Sequence, residues 1–252
     1  MFMVLKRKRK REYYKEFKIV HGVFDEHTLL ILYKLLNETK ITAESLIKEG
    51  KESVILSGLT PEKKWVAIKV YRTEGCDFKK MWRYLIGDRR FKRLKKKKRT
   101  IVNLWCKREF RNLKTAFKAG VSCPEPITFR ENVLIMSFIG HGKYGIQSLR
   151  LIDLILEDPL PVYRKIIRDL KKLVKAGIVH GDLSAYNILL WYKPYFIDFS
   201  HGTTIDNQIA LELLKRDLKN INSYFSKLNL HLKQPEKVYE ELKKVIEKKV
   251  QK

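Results

Sequence analysis

The sequence is poor in cysteine, in long apolar stretches and in acidic residues. Its 252 residues include three cysteines, Cys76, Cys106 and Cys123, without even pairing or CxxC spacing. This argues against a disulfide framework and against a zinc site. Apolar stretches are short, such as 151–156 with Asp153 inside it, and none approaches the roughly 20 residues of a membrane span. The N-terminus runs from apolar to basic, the reverse of a secretory signal, so we expect a soluble, cytoplasmic protein.

Positive charge is the most unusual feature of the composition. Lysine and arginine number 54 against 28 acidic residues, a formal net charge of +26, while 44% of the residues are apolar. That apolar fraction is enough for a core and excludes a wholly disordered chain. Two blocks, residues 6–11 and 89–99, hold fifteen bases and no acid. Such blocks are either solvated faces or contacts to a polyanion, and their density favours a nucleic-acid or ribonucleoprotein partner.

The hydrophobic pattern predicts an α+β protein whose strand-rich half precedes residue 140 and whose helix-rich half follows it. Residues 1–22 are predicted to be a basic arm, and residues 74–100 a flexible basic insertion. The predicted strands are 52–57, 65–71, 127–130, 133–139, 187–191 and 195–197. The predicted helices are 25–37, 101–119, 146–156, 162–176, 206–228 and one from Pro235. The resulting boundaries are 23–139 for an N-terminal lobe and 140–252 for a C-terminal lobe.

The segment 178–200 contains the pattern H-x-D-x4-N, then a predicted hairpin, then D-F. Asp182 and Asn187 stand at opposite ends of one loop, and the hairpin brings Asp198 beside Asn187. One carboxylate can orient a hydroxyl or a water for in-line attack, whereas an amide oxygen and a second carboxylate can hold a divalent metal over phosphates. An ordinary polar loop between two strands is the alternative. We therefore expect Asp182 to be catalytic, and Asn187 and Asp198 to bind metal.

The N-terminal half holds a lysine that fits this interpretation. Lys69 lies in V-A-I-K on a predicted strand, and a lysine among apolar neighbours needs a partner if it is buried. Nucleotide phosphates and a helix glutamate are its natural partners. Glu109 is the only acid in the helix predicted over 101–119. Both residues could instead lie on the surface, but together they match the kinase signature.

Residues 50–53, Gly-Lys-Glu-Ser, precede the predicted hairpin where a phosphate-covering loop would lie. The loop is either a plain turn or a phosphate cradle formed by backbone N–H groups, and Lys69 and Asp182 favour the cradle. His180 is interpreted as a structural histidine, because the proton-accepting role falls to the aspartate. Asp217, beside Arg216, is interpreted as a structural anchor.

These residues resemble the protein-kinase superfamily, and more narrowly the RIO family of atypical kinases. The similarity spans about residues 24–250, through the stretches GKES (50–53), VAIKVYRTEGCDFKKMWRYLIGDRRF (66–91), EFRNLKTAFKAGVSCPEPI (109–127), HGDLSAYNIL (180–189) and IDFS (197–200). The D-L-S-x-Y-N form resembles the first, Rio-one, subfamily, of the archaeal type. Ser137 stands where the family hinge usually has an acid.

The resemblance implies a two-lobed kinase fold without an activation loop or a peptide-binding subdomain. It implies ATP with Mg²⁺ or Mn²⁺ as cofactors, a serine/threonine kinase or ATPase activity, and a role in maturing the small ribosomal subunit. It makes Lys69, Asp182 and Asp198 catalytic, and Asp198 also the acceptor of a transient phosphoaspartate. The implied nucleotide-binding residues are Gly50, Lys51, Glu52, Ser53, Lys69, Glu109, Met136, Ile139, Asn187 and Asp198. The expected partner is a small-subunit precursor, with the protein itself a monomer.

Three other functions stay open at this point. A small kinase associated with tRNA threonylcarbamoylation also lacks an activation loop, although the insertion at 77–88 argues against it. A small-molecule phosphotransferase shares H-x-D-x4-N but fits poorly with a chain of net charge +26. The last of the three is a non-enzymatic assembly factor. The complete set of catalytic and metal-binding candidates argues against it, namely Lys69, Asp182, Asn187 and Asp198.

Overall fold

The structure is a computed structural model that describes residues 24–91, 96–141, 145–230 and 235–251. The predicted basic arm lies outside these ranges, and so does the centre of the second basic block, residues 92–95. Within the described ranges, no helix combines the length and apolar composition that crossing a membrane requires.

The first half of the chain forms a five-stranded antiparallel sheet with a helix against one face. The helix is α1 (Glu26–Thr39), and Asp25 caps it by accepting a hydrogen bond from the Thr28 N–H at 2.9 Å. The strands are β1 (Thr42–Glu49), β2 (Ser53–Leu59), β3 (Trp65–Tyr71), β4 (Pro126–Arg130) and β5 (Val133–Ser137), in the order β1-β2-β3-β5-β4.

The alternation of side chains along β3 places the predicted lysine. Val66, Ile68 and Val70 belong to the apolar cluster formed with α1. Successive residues of a strand point to opposite faces, so Lys69 and Tyr71 point away from α1. That opposite face looks toward the rest of the molecule, where Tyr71 belongs to the larger apolar core.

Strand β1 is absent from the sequence-based prediction. Most of its residues are exposed, and its pairing with β2 contains two register shifts. An irregular edge strand of this kind lacks the apolar alternation by which strands are recognised. Because β1 ends at Glu49 and β2 begins at Ser53, residues 50–53 form the turn between these strands. In this turn the Gly50 N–H donates to the Ser53 carbonyl at 2.9 Å.

The segment 74–100, for which the sequence predicts a flexible insertion, contains a helix that the sequence analysis does not predict. Helix α2 (Phe78–Ile86) is capped by Asp77 and buries Met81 and Leu85. These two side chains are four residues apart, so they share one helix face and fix α2 against the core. The next helix, α3 (Lys98–Lys118), begins within the same segment, and Gly120 with φ +71° follows its end.

The second half of the chain is mainly helical, as predicted. Its helices are α4 (Pro159–Lys175), α5 (Ala210–Lys227) and α6 (Pro235–Val250). The remaining strands are short and pair in twos: β6 (Gly140–His141) with β7 (Ile146–Gln147), β8 (Ile178–Val179) with β11 (Thr203–Thr204), and β9 (Ile188–Leu190) with β10 (Pro194–Phe196).

The helix predicted over 146–156 is wrong. The structure has β7 there, followed by a single 3₁₀ turn, Leu151–Asp153. Ile146, Leu149 and Ile155 are exposed, and only Leu151 is fully buried. Without a continuous buried face the apolar residues do not stabilise a helix, and the next helix starts after its cap at Asp158.

Two apolar clusters confirm the two-lobed, α+β architecture. One joins α1 to the sheet, and the other joins α2 and α3 to the C-terminal helices. Asp198 is followed by a 3₁₀ turn (Phe199–His201) and β11 before α5 begins at Ala210. Residues 199–209 leave no room for the long activation loop of ordinary protein kinases.

Candidate active site

A cavity of about 520 Å³ opens between the sheet and the helical half. Its volume is in the range of small-molecule sites. Its lining combines apolar side chains with a group of polar residues, and the part formed by that group is called here the polar end. The apolar lining includes Ile55, Ala67, Met136, Leu189 and Ile197, and the polar lining includes Glu52, Lys69, Asn187, Asp198 and Ser200.

Lys69 joins the two lobes at the polar end of the cavity. Its Nζ donates to Glu109 Oε1 at 2.9 Å and to Asp198 Oδ1 at 3.0 Å. The side chains of Lys69 and Glu109 are 5% and 2% exposed, so this ion pair is buried. The Tyr71 hydroxyl donates to the other Glu109 oxygen. The predicted Lys69–Glu109 pair is present, and α3 supplies its acid.

Removing the charge of Lys69 is expected to destabilise the fold strongly. Lys69→Met leaves Glu109 buried without its cation, and protonating Glu109 at pH 7 costs about 3–4 kcal/mol. We expect the free energy of unfolding in denaturant to fall by about that amount. The double variant Lys69→Met/Glu109→Gln should regain a large part of it, because neither charge is then left alone. Equal losses in the single and double variants would contradict this account.

Three polar side chains of α3 and the 3₁₀ turn hold Asp198 in place. Asn112 Nδ2 donates to the carbonyls of Phe199 and Gly202 at 2.9 and 2.8 Å, and Arg108 Nε donates to the Gly202 carbonyl at 2.9 Å. The Ser200 hydroxyl donates to Asp198 Oδ1 at 2.7 Å. Asp198 itself has φ +62°, a left-handed conformation that favours glycine, asparagine and aspartate.

The loop that carries Asp182 is held by backbone hydrogen bonds to a side chain of α5. Asp217 is fully buried and accepts from the N–H groups of Gly181 and Leu183 at 2.7 and 2.8 Å. Burial raises the pKa of Asp217 to about 7, and the two N–H groups oppose this rise. Gly181 has φ +77°, and a Cβ there would lie 2.7 Å from the His201 carbonyl oxygen. Asp217 is therefore the structural anchor that its sequence context indicates.

Asp182 and Asn187 meet across this loop. Asn187 Nδ2 donates to the Asp182 carbonyl at 2.8 Å and to Asp182 Oδ2 at 3.2 Å. The Asp182 side chain is 47% exposed. Burial, followed by the negative charge of Asp198, raises the pKa of Asp182. Part of the loop is thus open to an incoming group, with a carboxylate that binds protons more readily than usual.

Lys69, Glu109 and Asp198 form a charged cluster in which Lys69 and Glu109 are buried and the Asp198 side chain is 39% exposed. Burial alone would raise the pKa of Asp198, but Lys69 and the Ser200 hydroxyl hold it well below its usual range. Burial alone would lower the pKa of Lys69, but Asp198 and Glu109 raise it. Burial raises the pKa of Glu109 despite Lys69. Asp198 and Lys69 are therefore charged at neutral pH.

The polar end of the cavity fits a magnesium ion held chiefly by substrate. Asn187 and Asp198 both line the cavity, and the donation by Asn187 Nδ2 leaves Oδ1 as the amide atom for a cation. In the described part of the chain no group of three or more His, Cys, Asp or Glu side chains could hold a metal by itself. Mg²⁺ usually keeps waters and binds one or two carboxylates plus phosphate oxygens, which this pair of ligands matches.

Most of the other predicted nucleotide-binding residues line the same cavity. Gly50, Glu52 and Ser53 line it from the β1–β2 turn, whereas Lys51 is exposed. Met136 and Ile139 line it from the segment that joins the lobes. Ser137 lies in the same segment. Its hydroxyl accepts a hydrogen bond from the Glu125 N–H at 2.8 Å, so its side chain has a structural contact.

Two histidines near the site are neutral at pH 7. His180 is fully buried, its Nε2 donates to the Ile197 carbonyl at 3.1 Å, and burial lowers its pKa to about 4. This agrees with a structural role. His201, for which the sequence offers no supporting pattern, lies edge-on to Tyr84 and Trp105, and burial lowers its pKa to about 4.

Sequence reasoning missed the supporting residues Tyr71 and Ser200. Tyr71 is two positions after Lys69 on the same strand, so alternation could have placed both on one face. Ser200 stands at the third position of Asp-Phe-Ser, but its hydrogen bond to Asp198 depends on the 3₁₀ turn that follows. No sequence pattern identifies that contact.

Comparisons with known proteins are consistent with this geometry. The family described as "RIO domain" matches residues 54–238. The RIO-type serine/threonine-protein kinase Rio1 of Methanocaldococcus jannaschii is 38% identical over 220 residues, covering 86% of this chain and 74% of the relative. The protein of the same name in Haloferax volcanii is 35% identical over 212 residues, covering 83% and 72%. The chain covers 43% of the serine/threonine-protein kinase rio1 of Schizosaccharomyces pombe, at 37% identity over 82% of its own length.

A solved structure shares the fold. The crystal structure of the Rio2 kinase-ADP/Mg²⁺-phosphoaspartate complex from Chaetomium thermophilum superposes with a TM-score of 0.66 at 22% identity, covering 86% of this chain and 65% of that one. The family match over most of the chain, together with archaeal relatives above 30% identity, shows that this protein belongs to the RIO family of atypical serine/threonine protein kinases.

Proposed function

We propose that the chain is a RIO-type ATPase and kinase that uses Mg²⁺-ATP and acts in the maturation of the small ribosomal subunit. The observation that carries the catalytic part is the meeting of Lys69, Glu109 and Asp198 at the polar end of a cavity that also contains Asn187. Relatives named as serine/threonine-protein kinases support it.

Each residue then has a task that follows from its position. Lys69, fixed by Glu109, places positive charge against the nucleotide phosphates, while the β1–β2 turn covers them. Asn187 and Asp198 would hold Mg²⁺, which supplies further positive charge against the phosphate oxygens. The apolar end of the cavity accommodates the base beside Met136 and Ile139.

Two acceptors for the γ-phosphate are compatible with the site. A serine or threonine hydroxyl can be oriented by Asp182, which accepts its proton as the phosphorus–oxygen bond to ADP breaks. Alternatively Asp198 itself attacks the phosphorus and ADP leaves, and a water oriented by Asp182 then hydrolyses the acyl phosphate. The Rio2 kinase crystallised with a phosphoaspartate is an instance of the second product in a protein of the same fold.

The ribosomal partner is supported by charge. The net charge of +26 favours a polyanion, through release of counterions from the nucleic acid. Lys96, Lys97 and Lys98 are exposed at the start of α3. By contrast, Arg90 and Arg99 of the same basic block pair with Asp88 and Asp25.

The first experiment incubates the purified chain with γ-labelled ATP and Mg²⁺, with and without small ribosomal subunit precursors. We expect alkali-labile label on the protein, turnover that the particles stimulate, and particle binding that weakens steeply with salt. Stable label on serine or threonine that is indifferent to particles would contradict the ribosomal part. Absence of any metal-dependent ATP turnover would contradict the whole proposal and favour a non-enzymatic assembly factor. The family match at residues 54–238 makes the tRNA-associated kinase and the small-molecule phosphotransferase the weaker alternatives.

A further inference from the structure

Helix α2 lies against the active site at both of its ends. Two residues before its start, the Cys76 thiol lies 3.1 Å from the Arg72 carbonyl and 3.7 Å from the Glu52 carbonyl of the β1–β2 turn. Farther along, the Tyr84 ring lies 5.3 Å from the His201 ring, and Arg216 Nη2 donates to the Tyr84 hydroxyl at 3.4 Å and to the Gly181 carbonyl. The helix therefore bridges two parts of the site. One is the β1–β2 turn (residues 50–53), called here the phosphate turn, and the other is the loop that carries Asp182.

Lys80 lies between these two contacts. It is four residues before Tyr84, so the two side chains lie on the same face of α2. Side chains of a helix also lean toward its N-terminus, which directs Lys80 toward the phosphate turn. Lys80 is half-buried, and its Nζ makes no ion pair within 4.0 Å to a carboxylate of the described residues. A cation is thus held at the site without a dedicated partner.

The electrostatic surroundings agree with this position. Burial raises the pKa of Glu52 and of Asp182, and the positive charge of Lys80 opposes the rise at both. Burial lowers the pKa of His201, and Lys80 adds to that effect. These three groups come from the phosphate turn, the Asp182 loop and the 3₁₀ turn after Asp198. Lys80 is therefore close enough for its charge to act on all three groups.

We propose that Lys80 binds the terminal phosphate of a nucleoside triphosphate and so distinguishes ATP from ADP. The inference rests on the proposed function, because it assumes that phosphates occupy the polar end of the cavity. Lys69 is already held by Glu109 and Asp198, so a further side-chain cation at the terminal phosphate would add to the positive charge that Lys69 and Mg²⁺ provide during phosphoryl transfer. Helix α2 would supply that cation.

The test compares the affinities for a non-hydrolysable ATP analogue and for ADP, each with Mg²⁺, by calorimetry. In Lys80→Met we expect the affinity for the analogue to fall about tenfold or more, the loss of one charge-assisted hydrogen bond, while the affinity for ADP stays within about twofold. Lys80→Arg should restore part of the loss. Lys79→Met is the matched control, since Lys79 is the exposed neighbour on the same helix, and it should bind both nucleotides like the unmodified chain.

Three outcomes overturn the inference. An unchanged affinity for the analogue in Lys80→Met shows that Lys80 does not reach the phosphate. Equal losses for both nucleotides show that it acts on the shape of the cavity instead. If the unmodified chain binds neither nucleotide, the proposed function itself fails, whereas normal binding and turnover in the unmodified chain confine the failure to Lys80.

Discussion

Asp198→Asn is expected to lower ATP turnover by about a thousandfold or more and to remove both the alkali-labile label and any stable label on serine or threonine. Asp198 combines a proposed metal-binding position with the bond to Lys69, and losing about 4 kcal/mol of charge stabilisation in the transition state corresponds to that factor. Asparagine is preferred to alanine because it tolerates the left-handed backbone at φ +62°, so the loss can be assigned to the charge. Turnover is measured by phosphate release.

The control for this variant is Asp206→Asn. Asp206 is a half-exposed aspartate whose only ion pair among the described residues is a loose one with Arg89 at 3.5 Å. It loses the same charge and should keep turnover within about twofold, as surface substitutions usually do. If Asp198→Asn turns over ATP at the rate of the unmodified chain, Asp198 is neither a metal ligand nor an acceptor.

Asp182→Asn is expected to separate the two possible acceptors. Loss of a general base lowers steady-state turnover by about 10²–10⁴-fold, while Mg²⁺-ATP binding should change little, because Lys69, Asn187 and Asp198 remain. If Asp198 is the acceptor, its carboxylate has no proton to lose, so the first transfer proceeds and alkali-labile label accumulates. If a hydroxyl is the acceptor, the first transfer itself is slowed and label disappears.

The two results are distinguished by following label and released phosphate in one time course. Retention of the Asn187 contact to the Asp182 carbonyl should keep the loop folded, which the thermal unfolding midpoint can check. A variant that binds Mg²⁺-ATP normally and also releases phosphate at the original rate would show that Asp182 plays no part in the chemistry.

Much of the candidate site is predictable because several of its residues lie close together in the sequence. Asp182 and Asn187 lie five residues apart, and a tight hairpin brings Asp198 beside them, so local geometry fixes their proximity. Lys69 needed a partner because it stands among apolar residues, and the helix over 101–119 contains one acid. The roles of these residues, unlike their positions, stay predictions until the variants above are measured.

The errors occur where packing decides the structure. Strand β1 has little apolar alternation and forms because β2 offers an unpaired edge. Residues 146–156 carry enough apolar side chains for a helix, but only Leu151 is fully buried, while Ile146, Leu149 and Ile155 are exposed. Residues 74–100 are rich in charge, yet Met81 and Leu85 dock α2 onto the core. In each case packing or pairing with another element outweighs the pattern within the segment itself.

The sequence by itself determined the α+β class, the order of the two lobes and the candidate residues of the proposed phosphate-transfer site, because these depend on periodicity and short spacings. Only the tertiary structure decided how Asp198 is held, through Asn112, Arg108 and Ser200, and which face of α2 meets the cavity. Those contacts join positions up to about a hundred residues apart. No local pattern encodes them, since they exist only once the two lobes have packed against α3.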